Sequence, residues 1–228
     1  MVTALDERPA SPASLLNAHH ALGASTGWLR DAGDWTAQVG AASSVSTYAI
    51  ELAALAGPEF EGLERWLHTL PRLPFGYISV HAPVKQLDGD EAGLITRLAA
   101  LPPFVRSIVV HPDVMLDVPA YSALGARLVI ENMDDRKAMG QTAEDLAPLF
   151  TALPEAGLCL DVAHVSALDG SMGLAHELLD RFGARLRHLH VSSLVDGSHA
   201  AVTSEDSERF LPVLRRCIDV PWILEAPL

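Results

Sequence analysis

The sequence predicts a single (β/α)8 TIM barrel of short form, and three observations support this prediction. Short apolar runs end abruptly on an ionisable residue, as in YISVH, which ends on His81, and LVIE, which ends on Glu131. Such end points recur 20 to 35 residues apart, which is the spacing of repeated strand–helix units. The runs are continuously apolar, as expected for parallel strands that are buried on both faces.

Eight strands and seven helices follow one another along the chain. The predicted strands lie within Ser14–Gly23, around Ile50 and Glu51, and at Tyr77–His81, Ser107–His111, Leu128–Asn132, Gly157–Asp161, Leu186–Val191 and Pro221–Glu225. The predicted helices lie within Gly27–Ser46, Glu59–Thr69, Asp90–Leu101, Pro119–Leu124, from Thr142 onward, at Gly173–Phe182 and at Ser204–Cys217.

An eighth helix is not expected, which leaves a seam between the last strand and the first. Residues 1–12 are rich in Pro and Ala and are expected to form a flexible arm, whereas residues 13–228 form the barrel. Either this arm or a second subunit could cover the seam, so the pattern is compatible with a homodimer.

Composition and charge exclude several classes of protein. A chain of 228 residues, 49% of them hydrophobic, suits one domain near the short end of the barrel's size range. Its net charge of -13 argues against a nucleic-acid partner, because phosphate binding usually requires a basic face. The N-terminus lacks the apolar core of a signal peptide and no apolar run approaches the ~18 residues of a membrane span, so a cytoplasmic location is expected.

The ionisable residues at the strand ends predict a metal centre. In a TIM barrel the carboxyl ends of the strands meet at the face where active sites form. Burying several unpaired ionisable groups there would be costly, and a shared cation would offset that cost. Imidazole and carboxylate ligands suit Zn, Mn or Fe. The residues at successive strand ends are His81, His111, Glu131, Asp161, His190 and Glu225.

The motifs around these residues resemble the xylose isomerase-like barrels over about residues 45–228. The motifs are HAP at His81, HP at His111, IEN at Glu131, DVAH from Asp161 to His164, HLHVSS around His190 and LEAP at Glu225. This superfamily includes metal-dependent sugar isomerases and epimerases, dehydratases of polyols and keto acids, and endonuclease IV. The resemblance therefore implies a divalent transition metal, with one to three ions per chain.

The resemblance also implies roles for individual residues. Four of them match the metal quartet of the epimerase branch: Glu131, Asp161, His190 and Glu225. His81 and His111 match two further histidines of the endonuclease IV branch, and His164 matches both branches. His199 matches a histidine that completes a third metal site in the endonuclease. Two departures from the family pattern leave the existence of that third site undecided. Ser193 stands where relatives often have Asp, and Asp196 and His199 are spaced as D-x-x-H, whereas the endonuclease has D-x-H.

The function that we expect is metal-dependent chemistry on a small polyol, sugar or hydroxy-carbonyl compound, of the isomerase or epimerase type. Glu131 and Glu225 would be the catalytic residues, passing a carbon-bound proton through an enediolate that the metal stabilises. The alternatives are phosphoester hydrolysis at a metal cluster, as in endonuclease IV, iron-dependent oxidation on the same barrel, and a binding module that has lost activity. Fold does not choose among these chemistries.

Three further residues are candidates for substrate binding. Arg136 and Lys137 follow the fifth strand on the catalytic face, where they could meet an anionic group of the substrate. His188 lies two residues before His190 on the same strand and is expected to face inward, as a substrate contact or a reserve ligand. Glu51 also ends a strand, but a buried, hydrogen-bonded structural carboxylate is the expected role there.

Overall fold

The computed structural model describes Leu16, His20 and residues 22–87 and 89–228. The strands of this part of the chain are β1 (Leu22–Ser25), β2 (Ala49–Ala53), β3 (Tyr77–His81), β4 (Ser107–Val110), β5 (Leu128–Glu131), β6 (Gly157–Asp161), β7 (Leu186–Val191), β8 (Ser193–Val195), β9 (Ser198–Ala200) and β10 (Trp222–Leu224). Eight of them close into a parallel barrel in the order β1-β10-β7-β6-β5-β4-β3-β2, while β8 and β9 form a separate antiparallel hairpin. The predicted barrel is therefore confirmed.

Helices follow most of the barrel strands. They are α1 (Trp35–Val45), α2 (Gly57–Leu67), α3 (Glu91–Ala99), α4 (Ala143–Ala152), α5 (Val162–Leu168), α6 (Gly173–Phe182) and α7 (Ser204–Leu214). A 3-10 helical segment, Val118–Arg127, which is interrupted by a kink at Gly125, takes the place of an α-helix between β4 and β5. Residues 225–228, which follow β10, form no helix. None of the helices in the described part of the chain combines the length and apolar character needed to cross a bilayer.

Most predicted elements coincide with the observed ones. The bounds of β3, β6, β7 and α6 are those predicted, and the other strands after the first differ by one or two residues at their ends. Helix α4 begins as expected after Thr142, whose side chain accepts a hydrogen bond from the backbone N–H of Asp145 at 3.2 Å. This agreement shows that apolar runs and helix caps were sufficient to place the barrel's framework.

The first strand was predicted too early in the chain. It lies at Leu22–Ser25 and shares only two residues with the predicted range. Its sequence, LGAS, consists mostly of small residues because β1 packs closely against β2: a Cβ on Gly23 would lie 2.7 Å from the Cβ of Ala49. Such a strand has almost no apolar signature. The predicted arm, residues 1–12, lies outside the described residues.

Two elements near the strand ends were not predicted. Helix α5 starts directly after β6, where no helix was predicted. The β8–β9 hairpin follows β7 and turns at Asp196 and Gly197, which both have positive φ, 50° and 74°. An Asp-Gly pair is typical of such a hairpin turn, so this signal was present in the sequence.

The barrel interior differs in character from the main core. The helices pack their apolar faces against the outer face of the barrel and form one large cluster. Inside, the apolar residues form a small separate cluster of Val109, Val129 and Cys159. Interiors of such barrels are usually filled by branched apolar side chains. Here fully buried polar residues, including Glu51 and His188, fill part of this space.

Candidate metal centre

The strand ends bring the predicted ligands together at one face of the barrel. Glu131 lies at the centre of this group and is 1% exposed. Its Oε2 atom lies 3.3 Å from Nε2 of both His81 and His111, and these two nitrogens are 3.1 Å apart. Its Oε1 atom lies 3.3 Å from Nδ1 of His190 and 3.4 Å from Nδ1 of His164. One carboxylate thus faces imidazoles on both sides.

Asp161 has both a structural contact and a free oxygen. Its Oδ1 accepts a hydrogen bond from the backbone N–H of His164 at 2.8 Å, which caps α5. Its Oδ2 atom is buried without a hydrogen-bond donor, 3.5 Å from Nδ1 of His164 and 4.0 Å from Nδ1 of His190. The helix that was missed from sequence therefore fixes the position of His164 relative to Asp161.

Glu225 closes the site from the end of β10. Its Oε1 lies 3.5 Å from Nδ1 of His190, and its Oε2 lies 3.4 Å from Nδ1 of His199. His199 is carried by β9, and its Nδ1 also lies 2.7 Å from the Ser192 hydroxyl. The hairpin thus delivers the last of the predicted ligands. Asp196, the other half of the D-x-x-H pair, lies at the exposed tip of the hairpin.

The electrostatics of the site's own side chains reflect this crowding. Burial raises the pKa of Glu131, but the charges and hydrogen bonds of His190 and His111 outweigh it and hold the pKa well below its usual range. Burial raises the pKa of Glu225 well above its usual range, and neighbouring carboxylates add to this effect. Burial lowers the pKa of His190, yet the Cys159 thiol and the surrounding carboxylates raise it well above the ordinary value. Protons therefore compete with a cation for this pocket.

The donor set fits a divalent metal. Buried oxygens of Glu131 (Oε2), Asp161 (Oδ2) and Glu225 (Oε2) have no hydrogen-bond donor in the described structure. Such acceptors are rare in folded proteins unless a water or an ion satisfies them. Five sets of side chains in the described part of the chain have candidate ligand atoms within 4.8 Å of one another. Three consist wholly of predicted metal ligands: His81, His111 and Glu131; Glu131, Asp161 and His190; Asp161, His164 and His199. The other two are Glu51, His190 and Glu225, and Cys159, His188 and His190.

These histidine and carboxylate clusters could hold metals, and they are linked to one another. Glu131 belongs to the first and second sets, and Asp161 belongs to the second and third. Each of these two carboxylates could therefore contribute to two neighbouring sets. The combination of imidazole nitrogen and carboxylate oxygen suits Zn, Mn or Fe, as expected from sequence.

A cavity of about 640 Å³ opens above the candidate metal centre. His81, His111, Glu131, His164, His199 and Glu225 line its floor and walls. Trp28 also lines it, held by a hydrogen bond from its indole N–H to the Leu224 carbonyl at 3.1 Å. This volume is in the range of small-molecule sites. Trp28 was not predicted to line the site; it ends a short 3-10 helix, Thr26–Trp28, that follows β1.

Three cations lie on the wall of this cavity: Lys85, Arg136 and Lys137. Arg136 pairs with the buried Asp134 and donates to the Gly197 carbonyl at the hairpin turn. Lys137 pairs with Asp113 at 2.6 Å. Both predicted residues therefore lie at the cavity, each partly neutralised by a carboxylate. Lys85, which was not predicted, is exposed.

His188 does not lie on the cavity wall. It is completely buried inside the barrel, with Nδ1 2.8 Å from the Tyr77 hydroxyl and Nε2 3.5 Å from Glu51. This position favours a role in a buried network over the predicted substrate contact. Glu51 is also completely buried and accepts a hydrogen bond from the Ser79 hydroxyl at 2.9 Å, in agreement with the hydrogen-bonded carboxylate expected there.

Comparisons with known proteins agree with this architecture. Residues 117–226 match the model of the family described as xylose isomerase-like TIM barrel. Endonuclease IV from Thermus thermophilus is similar in structure, with a TM-score of 0.55 and 23% identity over 83% of this chain and 86% of that one. No curated protein matches the chain significantly.

Two epimerases of known structure share the fold. The 3-keto-D-glucoside 4-epimerase from E. coli has a TM-score of 0.53 and 12% identity, over 92% of both chains. An L-ribulose 3-epimerase has a TM-score of 0.52 and 10% identity, over 92% of this chain and 82% of that one. The predicted resemblance to the xylose isomerase-like TIM barrels is therefore confirmed, in sequence over residues 117–226 and in fold over most of the chain.

Proposed function

We propose that this protein is a metal-dependent enzyme that isomerises or epimerises a small polyol, sugar or hydroxy-carbonyl compound. The observation that carries the proposal is the position of the linked ligand clusters, which lie at the floor of a cavity of small-molecule size. The metal would be held by His81, His111, Glu131, Asp161, His164, His190, His199 and Glu225. Structural relatives that are named as sugar epimerases support this choice of reaction.

Glu131 and Glu225 are the residues that we assign to proton transfer. They enter from β5 and from the end of β10, with β6 and β7 between them in the barrel, so they approach the cavity from different sides. A bound divalent cation supplies Lewis-acid stabilisation of negative charge on substrate oxygens. One carboxylate would then remove a proton from carbon while the other returns it, which is the requirement of an epimerisation.

The cations at the cavity mouth indicate an anionic or strongly polar end on the substrate. The chain has only two lysines, and both Lys85 and Lys137 line this cavity. Lys85 makes no ion pair with any residue in the described part of the chain, so it is available to a ligand. Arg136 and Lys137 are already paired, and we assign them to shaping the mouth and to a weaker contact with substrate.

Hydrogen exchange with solvent tests the proposed reaction. Metal-loaded protein would be incubated in D2O with a panel of ketoses, hydroxy ketones and their phosphates, and deuterium incorporation at carbon followed by NMR. We expect exchange with at least one compound, lost in Glu225→Gln and retained in Glu64→Gln, a matched change at a carboxylate that pairs with Arg97 on the outer surface. No exchange across the panel, or full exchange in Glu225→Gln, would contradict the proposal.

Phosphoester hydrolysis is the second candidate, and one observation favours it. His81 and His111 form one set of candidate ligands with Glu131, and Asp161 and His164 form another with His199. The candidate ligands are therefore numerous enough for more than one ion. The charge of -13 opposes it, because loss of phosphate contacts weakens DNA binding by orders of magnitude at cellular salt.

Incision of DNA separates the two candidates. We expect no measurable cleavage of a duplex with an abasic site at physiological salt, whether Zn, Mn or Fe is supplied. Efficient incision that requires the metal would replace the isomerase proposal with the hydrolase.

A further inference from the structure

A chain of polar side chains lies inside the barrel, beneath the candidate metal centre. It runs from Ser107 and Tyr77 through His188 and Glu51 to His190. Glu51, His188 and His190 are 0% exposed. Barrel interiors normally hold branched apolar residues at this level, and burying a carboxylate among neutral groups is costly. These residues are not on the cavity wall, so substrate contact does not account for them.

Glu51 makes its closest contact to an imidazole with His190. Nε2 of His190 lies 3.1 Å from the Glu51 carboxylate, and the Ser79 hydroxyl donates to the same carboxylate at 2.9 Å. A carboxylate at this distance accepts the N–H of the ring. In the singly protonated form of His190 that can bind a metal, the proton therefore resides on Nε2, which leaves a lone pair on Nδ1.

Nδ1 of His190 points toward the candidate metal centre. Around it lie oxygens of Glu131 at 3.3 Å, Glu225 at 3.5 Å and Asp161 at 4.0 Å. None of these carboxylate oxygens can donate a hydrogen bond to a lone pair when ionised. A lone pair surrounded by three carboxylates is the arrangement of a ligand nitrogen, and it requires the opposite ring nitrogen to carry the proton.

His188 and Tyr77 hold Glu51 from the other side. Nε2 of His188 lies 3.5 Å from Oε2 of Glu51, while its Nδ1 lies 2.8 Å from the Tyr77 hydroxyl. The Tyr77 hydroxyl donates to Oγ of Ser107 at 2.6 Å. The His188 ring therefore lies between the Tyr77 hydroxyl and the Glu51 carboxylate, with Nε2 on the side of the carboxylate. The carboxylate is thus fixed by contacts from three sides.

We propose that Glu51 is a positioning residue which fixes the tautomer and orientation of His190 for metal binding, and that His188 and Tyr77 hold Glu51 in place. This inference rests on the proposed function. A histidine that binds a metal commonly donates its other N–H to a carboxylate, and loss of that partner typically lowers metal affinity about 10–100-fold. Glu51 therefore acts through His190 and does not contact the substrate.

A purely structural role predicts the opposite response to removal of the charge. Replacing a buried ionic group with an apolar residue of similar size is often neutral or stabilising. If Glu51 only filled space, Glu51→Leu would keep metal affinity and fold as well as the wild type. If Glu51 positions His190, the same variant folds but binds metal poorly. Affinity and stability therefore change independently in the two accounts.

The test measures metal binding by the purified full chain without a substrate. Zn2+ and Co2+ affinities would be compared for the wild type and for Glu51→Leu, Glu51→Gln and Tyr77→Phe, together with the Co2+ absorption spectrum. Val109→Ala is the matched control, since it removes apolar contacts with Val129 and Cys159 from the same interior and changes no polar group. Melting temperatures of the metal-free proteins show which variants fold.

We expect affinity to fall about 10–100-fold in Glu51→Leu, less in Glu51→Gln, which keeps an acceptor for the His190 N–H, and least in Tyr77→Phe. The Co2+ spectrum should shift in the Glu51 variants and stay unchanged in Val109→Ala. Equal affinity and spectrum in wild type, Glu51→Leu and Glu51→Gln would overturn the inference. Should Glu51→Leu not fold, Glu51→Gln and Tyr77→Phe decide. Absence of metal binding by the wild type would instead overturn the proposed function.

Discussion

Replacing Asp161 with asparagine should separate the two contacts of this side chain. Oδ1 caps α5 through the backbone N–H of His164, whereas Oδ2 is buried without a donor between His164 and His190. Asparagine keeps an oxygen for the cap and puts an NH2 group in place of Oδ2. An amide NH2 cannot bind a cation, so metal binding should weaken while the fold is retained.

The expected magnitudes follow from these contacts. A buried acceptor without a donor costs about 1–3 kcal/mol, so the metal-free Asp161→Asn protein should be at least as stable as the metal-free wild type. Metal at 1,000 times its dissociation constant adds about 4 kcal/mol to the stability of the wild type. For a chain of this size that corresponds to a rise in Tm of about 8–16 °C, most of which Asp161→Asn should lose.

Thermal unfolding with and without added Zn2+ provides the assay, after removal of bound metal with a chelator. Asp161→Ala is the control, because it loses the cap as well, at a cost of about 1 kcal/mol. Its metal-free Tm should therefore fall by about 2–4 °C relative to Asp161→Asn. An Asp161→Asn protein with the full metal-induced rise in Tm would refute the reasoning that Oδ2 is a ligand atom.

Two further predictions concern the number of ions and the response to pH. The double variant His81→Ala and His111→Ala should bind less metal by elemental analysis, while Asp161 still helps to hold one ion. An unchanged ratio of metal to protein would indicate that the two histidines contact the substrate and not the metal. Burial raises the pKa of Asp134, but hydrogen bonds from Arg136 outweigh it and lower the pKa. This ion pair therefore stabilises the protein above about pH 3.9, the ordinary value, and its contribution is lost as the pH falls further. The difference in Tm between wild type and Asp134→Asn should accordingly shrink in acid, and a constant difference would contradict this assignment.

The barrel's framework could be predicted from sequence because its signals are local. Strands such as Gly157–Asp161 are apolar runs with a charged end, and helices such as Gly173–Phe182 have an apolar face. The first strand could not be predicted in this way, since its sequence is set by close packing against Ala49 rather than by apolar burial. Helix α5 was missed because its cap, Asp161, was read only as a ligand.

The sequence predicted which residues belong to the candidate site, but not how deep in the barrel each of them lies. Residues such as Glu131 and His190 could be predicted because each lies at the end of an apolar run, which places it at the carboxyl end of a strand. Whether an inward-facing residue reaches the cavity or stops beneath it depends on the tilt and register of neighbouring strands. For this reason His188 was predicted to be a substrate contact or a reserve ligand, although it lies next to Glu51 below the cavity. The role of Glu51 itself depends on a contact between residues 139 positions apart.

Metal content tests the central claim most directly. Protein purified without chelator should contain at least one transition metal per chain by elemental analysis. Glu131→Ala should lose most of it, because Glu131 belongs to two of the three sets that consist wholly of predicted ligands. Glu64→Ala, at an outer-surface ion pair with Arg97, should retain all of it. A wild type that binds no Zn, Mn or Fe even when they are supplied, or a Glu131→Ala protein with full metal content, would contradict the account.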